Sequence, residues 1–339
     1  MKKRIVPAHV ALFLTLAALA PLSAQTARNM AADFETEPDG NGVAISKYTG
    51  PGGSVAIPAT IGGKPVTGIG EWAFSRCYSL TSIAIPGGVT SIGVEAFVAC
   101  SRLGAISVAA ENRQYKDIDG ALFSKDGKTL ISYPAGGRTA YTMPAGVTSI
   151  GAAAFSNCSS LTSIAIPAGV TSIGEWAFVA CDSLTSIVMP EGVASIGEYA
   201  FAYCSSLTSI AMPEGVASIG EWAFSGCSSL TSIAMPAGVT SIGEGAFSDC
   251  SSLTSIAMPA GVTSIGEAAF FRCSSLTSIA MPAGVTSIGE GAFYGCSSLT
   301  SIAMPAGVTS IGEAAFYGCS SLKPEVLAGI EKRFGIQVF

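Results

Sequence analysis

Apolar and polar positions recur along this chain in a unit of 23 residues. The unit that starts at Leu230 reads LTSIAMPAGVTSIGEGAFSDCSS, and almost the same letters start again at Leu253 and Leu276. A Phe marks each of ten units and is followed three positions later by a Cys: Phe74, Phe97, Phe155, Phe178, Phe201, Phe224, Phe247, Phe270, Phe293 and Phe316. Because repetition at such a period is the signature of repeat architectures, the sequence predicts a solenoid in which each unit forms one coil.

Within one unit the pattern predicts a short strand, a bend and a second buried segment. Ile164 and Ile166 alternate with small residues, so both point to one face of a strand. Pro167 ends that strand because it has no N–H to donate to a neighbouring strand. Ser172-Ile173-Gly174-Glu175 matches a capping box and predicts a short helix or 3-10 turn, which Phe178 helps to bury. Stacked units then bury their apolar faces against one another and form parallel strands.

The repeat spacing changes at two places inside the solenoid and stops at both ends. Between Ile57-Pro58 and Ile69-Gly70 the unit is five residues longer. Leu103 and Arg138 are 12 residues further apart than one unit, and Asp119-Gly120 and Asp126-Gly127 are turn signals between them. We therefore expect a β-hairpin over about 104–137 that projects from the solenoid or replaces part of one coil. The solenoid itself is assigned to 51–321, a capping hairpin to 25–50, and a capping helix to 322–339, with Pro324 in its first turn.

The first 24 residues have the pattern of a secretory signal peptide. Lys2, Lys3 and Arg4 precede an apolar stretch, and Leu22-Ser23-Ala24 is a plausible cleavage site. After this segment no apolar run approaches the roughly 18 residues of a membrane-spanning helix. Removing it would change the net charge from −6 to −9. An acidic chain without a basic cluster argues against nucleic acid as a partner.

The full pattern, CxxLxxIxIPxxVxxIGxxAFxxC, resembles the repeats of BspA-like bacterial surface leucine-rich-repeat proteins over roughly residues 51 to 321. The starting segment 44–50 and the insert around Asn112, Tyr115 and Phe123 are also similar to that family. The resemblance implies an α/β repeat fold, a right-handed leucine-rich-repeat solenoid exposed outside the cell, of about ten to eleven coils by the unit count. It further implies attachment to host matrix or plasma proteins or to other cells, immune recognition, and no catalytic residues.

Candidate chemistry is limited by what the mature sequence lacks. The single histidine, His9, lies in the predicted signal peptide, so no imidazole remains for acid–base catalysis or metal binding. One ordered array of carboxylates recurs with the repeat: Glu175, Glu198, Glu221, Glu244, Glu267, Glu290 and Glu313. We interpret it as charge favoured at the start of a helical turn, with a stripe for divalent cations as the alternative. The sequence thus predicts neither an enzyme nor a cofactor or metal site.

The ten cysteines, Cys77 to Cys319, occupy one position of the unit. Many cysteines in an exported protein are typical of disulfide-bonded folds, and equivalent Cys of adjacent coils would be close enough to pair. Their side chains should however point in parallel into the core. We expect buried free thiols, with bridging between neighbours as the alternative.

Two positions of the unit vary most. If the protein has a specific ligand, we expect these positions to determine which ligand it binds. In seven coils, one or the other of these positions, three residues apart and expected on one helical turn, holds a large aromatic. Such aromatics either fill a groove between coils at constant volume or form a stripe for a partner protein. The candidate protein-binding stripe consists of Trp72, Trp176, Tyr199, Tyr203, Trp222, Phe271, Tyr294 and Tyr317.

Two functional hypotheses follow from the sequence. The first is a secreted or cell-surface adhesin, a monomer that binds extracellular or host proteins through broad solenoid faces. The second is a structural or variable surface antigen without a dedicated ligand, in which near-identical units from Leu207 to Ser321 are gained and lost by recombination.

Overall fold

The computed structural model describes residues 30–335, which form a solenoid of short, mostly parallel β-strands. The predicted signal peptide, residues 1–24, lies outside the described residues. After a 3-10 turn, Met30–Asp33, the N-terminal coils contain β1 (Phe34–Asp39), β2 (Gly42–Tyr48), β3 (Gly53–Ala56), β4 (Thr60–Ile61), β5 (Lys64–Ile69), β6 (Leu80–Ile85), β7 (Ser91–Ile92) and β8 (Ala105–Val108).

An antiparallel hairpin covers the N-terminal end of the stack. Its strands β1 and β2 pair from Phe34↔Tyr48 to Asp39↔Gly42, and β2 then pairs in parallel with β5. The hairpin thereby occupies an edge that would otherwise expose unpaired backbone groups. A second tight hairpin joins β4 to β5 through Gly62 and Gly63, whose φ angles of 60° and 78° fit a two-residue hairpin turn.

The insert between the two repeat blocks replaces part of one coil. It contains β9 (Tyr115–Ile118), β10 (Ala121–Ser124) and β11 (Thr129–Ser132). β10 pairs antiparallel with both neighbours, and β11 pairs in parallel with the first two-residue strand of the next block through Leu130↔Ile150. The hairpin predicted here is therefore built into the strand column.

The regular coils each contribute two short strands, and equivalent residues of successive coils pair 23 positions apart, as in Ser172↔Ser195. The strands are β12 (Ala140–Thr142), β13 (Ser149–Ile150), β14 (Ser163–Ala165), β15 (Ser172–Ile173), β16 (Ser186–Val188), β17 (Ser195–Ile196), β18 (Ser209–Ala211), β19 (Ser218–Ile219), β20 (Ser232–Ala234), β21 (Ser241–Ile242), β22 (Ser255–Ala257), β23 (Ser264–Ile265), β24 (Ser278–Ile279), β25 (Ser287–Ile288), β26 (Ser301–Ile302) and β27 (Ser310–Ile311). One column of strands forms an eleven-stranded sheet, which consists of β9, β10, β11 and every second strand from β13 to β27. The other column is split into shorter sheets.

The short helix or 3-10 turn predicted from the capping box is wrong. Ser172 and Ile173 belong to β15, and the residues after Gly174 form successive tight turns. Two residues of each such segment have positive φ, as in Trp176 (53°) and Ala180 (55°), which a right-handed helix does not allow. We call this segment, from the Gly before the Glu position to the Cys, the turn of a coil.

Stacked phenylalanines form the axis of the core. From Phe155 to Phe316 the rings of neighbouring coils lie 4.8–5.6 Å apart, centroid to centroid, and are nearly parallel. The ladder is interrupted between Phe97 and Phe155. There the apolar core divides into two clusters, one from Phe34 to Leu122 and one from Ala121 to Ile330. Consecutive residues of β10 therefore belong to different cores.

The only α-helix in the described part of the chain, α1 (Pro324–Phe334), covers the last coil, within the segment where the sequence predicts a capping helix. Leu327 and Ile330 form its buried face, and Gly335 ends it in the left-handed conformation. The Arg333 guanidinium donates to the carbonyls of Pro305, Ala306 and Val308 at 2.8–3.2 Å. Within residues 30–335, no helix has the length and apolar character needed to cross a membrane.

Candidate interaction surface

The turns set the positions of the variable side chains. All ten residues that directly follow the Glu position have positive φ: Trp72, Glu95, Ala153, Trp176, Tyr199, Trp222, Gly245, Ala268, Gly291 and Ala314. A second set, two residues after each Phe, has the same property and includes Tyr203. A left-handed conformation costs a non-Gly residue roughly 1–2 kcal/mol. The fold accepts this cost in every turn because it lets alternate backbone groups bond to the adjacent coil.

The two variable positions are adjacent although the segment between them is not helical. The amide of Val179 donates to the carbonyl of Trp176 at 3.1 Å, and the same bond recurs in the other turns. The prediction that one helical turn brings these positions together is therefore wrong, because a single tight turn holds them together instead.

The eight residues of the candidate stripe lie on this turn side with unequal exposure. Trp72, Tyr203 and Tyr317 are 59%, 56% and 46% exposed. The others are half-buried: Trp176, Tyr199, Trp222, Phe271 and Tyr294. The stripe therefore offers ring edges and partial faces to solvent rather than whole side chains.

Two groups of stripe residues stack on one another. Tyr199 and Trp222 are nearly parallel with centroids 6.1 Å apart. Phe271, Tyr294 and Tyr317 form a second stack with spacings of 4.9 and 5.0 Å. The Arg272 guanidinium lies 4.9 Å from the Phe271 ring centre, within cation–π range. These contacts give the aromatics a packing role that coexists with their exposure.

Side chains at left-handed positions lean over the next coil. The Trp222 ring covers Gly245, where an added Cβ would overlap it, and the Tyr203 ring covers Gly226 in the same way. Trp72 is separate from both stacks, and its Nε1 donates to the Glu95 carboxylate at 2.7 Å. The structure thus groups five stripe residues into two stacks and leaves Trp72, Trp176 and Tyr203 outside them.

The glutamate row follows the turn side, one residue per coil. The pKa of Glu244 is raised, first by desolvation and then by the nearby carboxylates of Glu267 and Glu221, while a hydrogen bond from Trp222 opposes the shift. Neighbouring members of the row therefore repel one another. No group of three or more metal-binding side chains occurs in the part of the chain that the structure describes.

The cysteines form a ladder of thiol hydrogen bonds, and all ten are free thiols in the structure. The Cys204 thiol donates to the carbonyl of Phe178 at 3.1 Å. In seven other coils the Cys thiol likewise donates to the carbonyl of the Phe 26 residues before it. Burial raises the pKa of Cys158 and of most others. Cys77 differs, since it is half-buried. The Cys100 thiol donates to the carbonyl of Phe74 when both thiols are neutral and to the Cys77 thiolate when that forms, which lowers the pKa of Cys77.

Sequence reasoning missed a gap in the turn side of the solenoid. The turns 93–100 and 151–158 face each other with no turn between them, because 104–137 contains the four strands β8 to β11 instead. A signal was present, since that segment has no Ala-Phe-x-x-Cys.

A parallel solenoid with a stacked core and variable turns defines a repeat scaffold, and comparison with known proteins identifies its family. The family model for the BspA type leucine rich repeat region matches residues 55–136, 135–254 and 194–323. The chain belongs to this family. None of the curated proteins compared matches it.

Solved structures of bacterial leucine-rich repeat proteins are similar to the chain. One from Eubacterium ventriosum is 25% identical, with 80% of this chain and 77% of that chain covered and a TM-score of 0.58. One from Bacteroides ovatus is 26% identical, with coverages of 91% and 97% and a TM-score of 0.44. A leucine rich cell surface protein from Faecalibacterium prausnitzii is 28% identical, with coverages of 86% and 92% and a TM-score of 0.38.

Proposed function

We propose that this protein is a secreted or cell-surface adhesin that binds host matrix or plasma proteins, or proteins of other cells. In this proposal it is a monomeric, right-handed solenoid of about ten to eleven coils, exported through residues 1–24, without catalytic activity, cofactor or nucleic-acid partner. Its membership of the BspA-type repeat family supports exposure outside the cell. The turn side of the solenoid makes the contact.

The observation that carries the proposal is the partial exposure of the stripe aromatics, both those that stack and those, such as Trp176, that do not. A packing role alone would favour complete burial, yet Tyr317 remains 46% exposed at the end of its stack. Aromatic rings held by neighbours lose little entropy on binding, which suits them as interface anchors. Charged residues border them, with the glutamate row on one side and Arg272 at the second stack.

The proposal is tested with a double variant, Trp176→Ala and Trp222→Ala, in a binding screen against purified matrix and plasma proteins. Saturable binding of one partner by the wild type, reduced about tenfold or more in the variant, is the expected result. Phe247→Ala, which removes a buried ring, is the control for general destabilisation. Equal binding by the double variant and the wild type would contradict a role for the stripe.

A surface antigen without a dedicated ligand is the second candidate, and the near-identity of the units from Leu207 to Ser321 favours it. Protease treatment of intact cells separates the two when combined with the same screen. Release of fragments by the protease together with saturable binding supports the adhesin. Release without any saturable partner supports the antigen. A chain that is cleaved only after the cells are lysed lies inside the cell, which excludes both candidates.

A further inference from the structure

The turns of the regular coils are joined by a ladder with a fixed direction. The amides of Trp176, Phe178 and Ala180 donate to carbonyls of the next coil at 2.8–2.9 Å. The amides of Ala177 and Val179, between them, close turns within the coil. Each turn therefore presents N–H groups toward the C-terminal end of the solenoid and C=O groups toward the N-terminal end.

All three bonds of this ladder are missing together at one internal place. The amides of Glu95, Phe97 and Ala99 are the equivalent donors of the turn 93–100, and within residues 30–335 no acceptor bonds to them. On the opposite wall, Ala154 accepts a bond from the Tyr133 amide, while the carbonyls of Ala152 and Ser156 accept none from the described chain. The gap has the donor edge of one turn on one side and the acceptor edge of another on the other.

Two adjoining cavities occupy the gap. The inner one, of about 170 Å³, is lined by residues 92–98, 131–135 and 151–156. The outer one, of about 410 Å³, extends from it toward Trp72 and Asn157 and shares Glu95 and Val98 with it. A void of about 150 Å³ holds one benzene ring, so the inner cavity accommodates one large side chain. Phe97 is 7% exposed, whereas Phe155 across the gap is fully buried.

We propose that this gap, hereafter the turn cleft, binds a short segment of a partner polypeptide as a substitute for the missing turn. The backbone carbonyls of the segment accept from Glu95, Phe97 and Ala99, and its amides donate to Ala152 and Ser156. Addition of a peptide backbone to an unpaired edge is a common mode of recognition, in which side-chain pockets supply the specificity. The inner cavity takes an aromatic or large aliphatic residue of the segment, beside Phe97.

The charge at the mouth of the cleft specifies the segment further. The Glu95 carboxylate is held by Trp72 at 2.7 Å and by the Ser156 hydroxyl at 3.4 Å. Both partners are neutral. Arg76 also lines the outer cavity, but no ion pair joins it to Glu95 in the described part of the chain. A Lys or Arg next to the apolar anchor would therefore gain an attractive partner there. The occupant is a peptide segment that combines an apolar anchor with a flanking basic residue.

The cleft can be closed by changing Val98 to a residue that other coils already have at the same position. Val98 lines both cavities, and its position in other coils is held by Phe271, Tyr294 and Tyr317. Val98→Tyr therefore fills the cleft with a side chain that this turn position already accepts. Val179→Tyr makes the same change at the same position of a regular coil and is the matched control.

The experiment pans a phage library of random peptides of about nine residues on the full chain, with counter-selection on the V98Y variant. Enrichment of peptides with an aromatic or large aliphatic residue beside Lys or Arg is expected. Synthetic copies of these peptides, titrated by fluorescence anisotropy, should bind about tenfold or more weakly to V98Y and unchanged to V179Y. Thermal unfolding of both variants establishes that they are folded.

A second variant keeps the test independent of V98Y. Glu95→Gln should weaken the Lys- or Arg-bearing peptides and remove the salt dependence of their binding, and Glu175→Gln in a regular coil should not. The double variant of Trp176 and Trp222 should bind these peptides normally, which separates the turn cleft from the stripe residues of the regular coils. Absence of enriched peptides, or equal binding by V98Y and wild type, overturns the proposal. Binding that requires removal of residues 1–29 would also overturn it, because this chain's own N-terminal segment would then be the occupant. So would a dimer that V98Y dissociates, because a second copy of the chain would then be the occupant.

Discussion

Single thiols in this protein differ in environment although they occupy one position of the repeat. Nine are buried, and desolvation raises the pKa of Cys158, Cys250 and others, to about 12 for Cys319. Cys77 is half-buried in the first turn, and its pKa is lowered. Since the thiolate is the reactive form, access and pKa both favour reaction at Cys77.

We expect iodoacetamide to modify one thiol per native chain at mildly alkaline pH, and that thiol to be Cys77. The rate should rise with pH as the Cys77 thiolate forms and reach half of its maximum below the ordinary thiol pKa, because the shift is downward. Intact-mass spectrometry counts the adducts. Cys77→Ser should leave the native chain unmodified, and unfolding without reductant should expose all ten thiols. Fewer than ten would instead indicate bridges between neighbouring coils.

A pair of glycines tests whether the stripe aromatics pack as well as face solvent. Gly245 and Gly291 occupy the same turn position with the same φ of 55°, but only Gly245 lies beneath a ring, that of Trp222. Gly→Ala imposes the same backbone cost at both sites. Gly245→Ala should lower the free energy of unfolding by about 1–3 kcal/mol more than Gly291→Ala, because the new methyl group overlaps the indole.

Urea titration of the two variants measures this difference, and Trp222→Ala in the Gly245→Ala background should remove it. Equal costs at the two positions would mean that the Trp222 side chain moves aside freely. The packing role of the stripe would then be small.

At the scale of the element, the sequence predicted the strands and the solenoid because alternation such as that of Ile164 and Ile166 marks one face of a strand, and both residues pack against the core. It did not predict the form of the turn. The Ser-Ile-Gly-Glu pattern is shared by helix N-termini and by this turn, and Ala153 or Trp176 in a left-handed conformation leaves no compositional signal. The turn cleft was missed for a related reason, since spacing located the insert without showing which part of a coil it replaces.

The helix α1 closes the C-terminal end of the stack through one side chain as well as through its apolar face. Arg333 donates to three carbonyls of the loop after β26, whereas no hydrogen bond from the Lys332 side chain occurs among the described residues. Arg333→Ala should lower the stability of the last coil by about 1 kcal/mol, since the site is exposed to solvent. Hydrogen exchange measured by mass spectrometry should show faster exchange in 299–322, and Lys332→Ala is the control. Unchanged exchange in Arg333→Ala would mean that apolar burial alone holds the helix.

On the scale of the whole molecule, the chain is two stacked cores rather than one. The N-terminal cluster ends at Leu122 and the C-terminal cluster begins at Ala121, so β10 joins them. Around this strand the turn ladder and the phenylalanine ladder are both interrupted. In a solenoid, stability passes between units only through their shared interfaces, and this interface lacks the turn bonds and the phenylalanine stacking that join regular coils.

The two cores should therefore unfold separately. Phe74→Ala and Phe247→Ala each remove a fully buried ring, one from each cluster, at a cost of about 3–5 kcal/mol. In urea, Phe74→Ala should lower hydrogen-exchange protection over 34–100 and leave 160–322 near the wild type, and Phe247→Ala should do the reverse. Leu122→Ala should weaken the N-terminal core and, through β10, the joint. If either Phe variant lowered protection evenly from 34 to 322, the interruption would transmit stability as well as a regular coil does, and the open ladder at the turn cleft would have no energetic consequence.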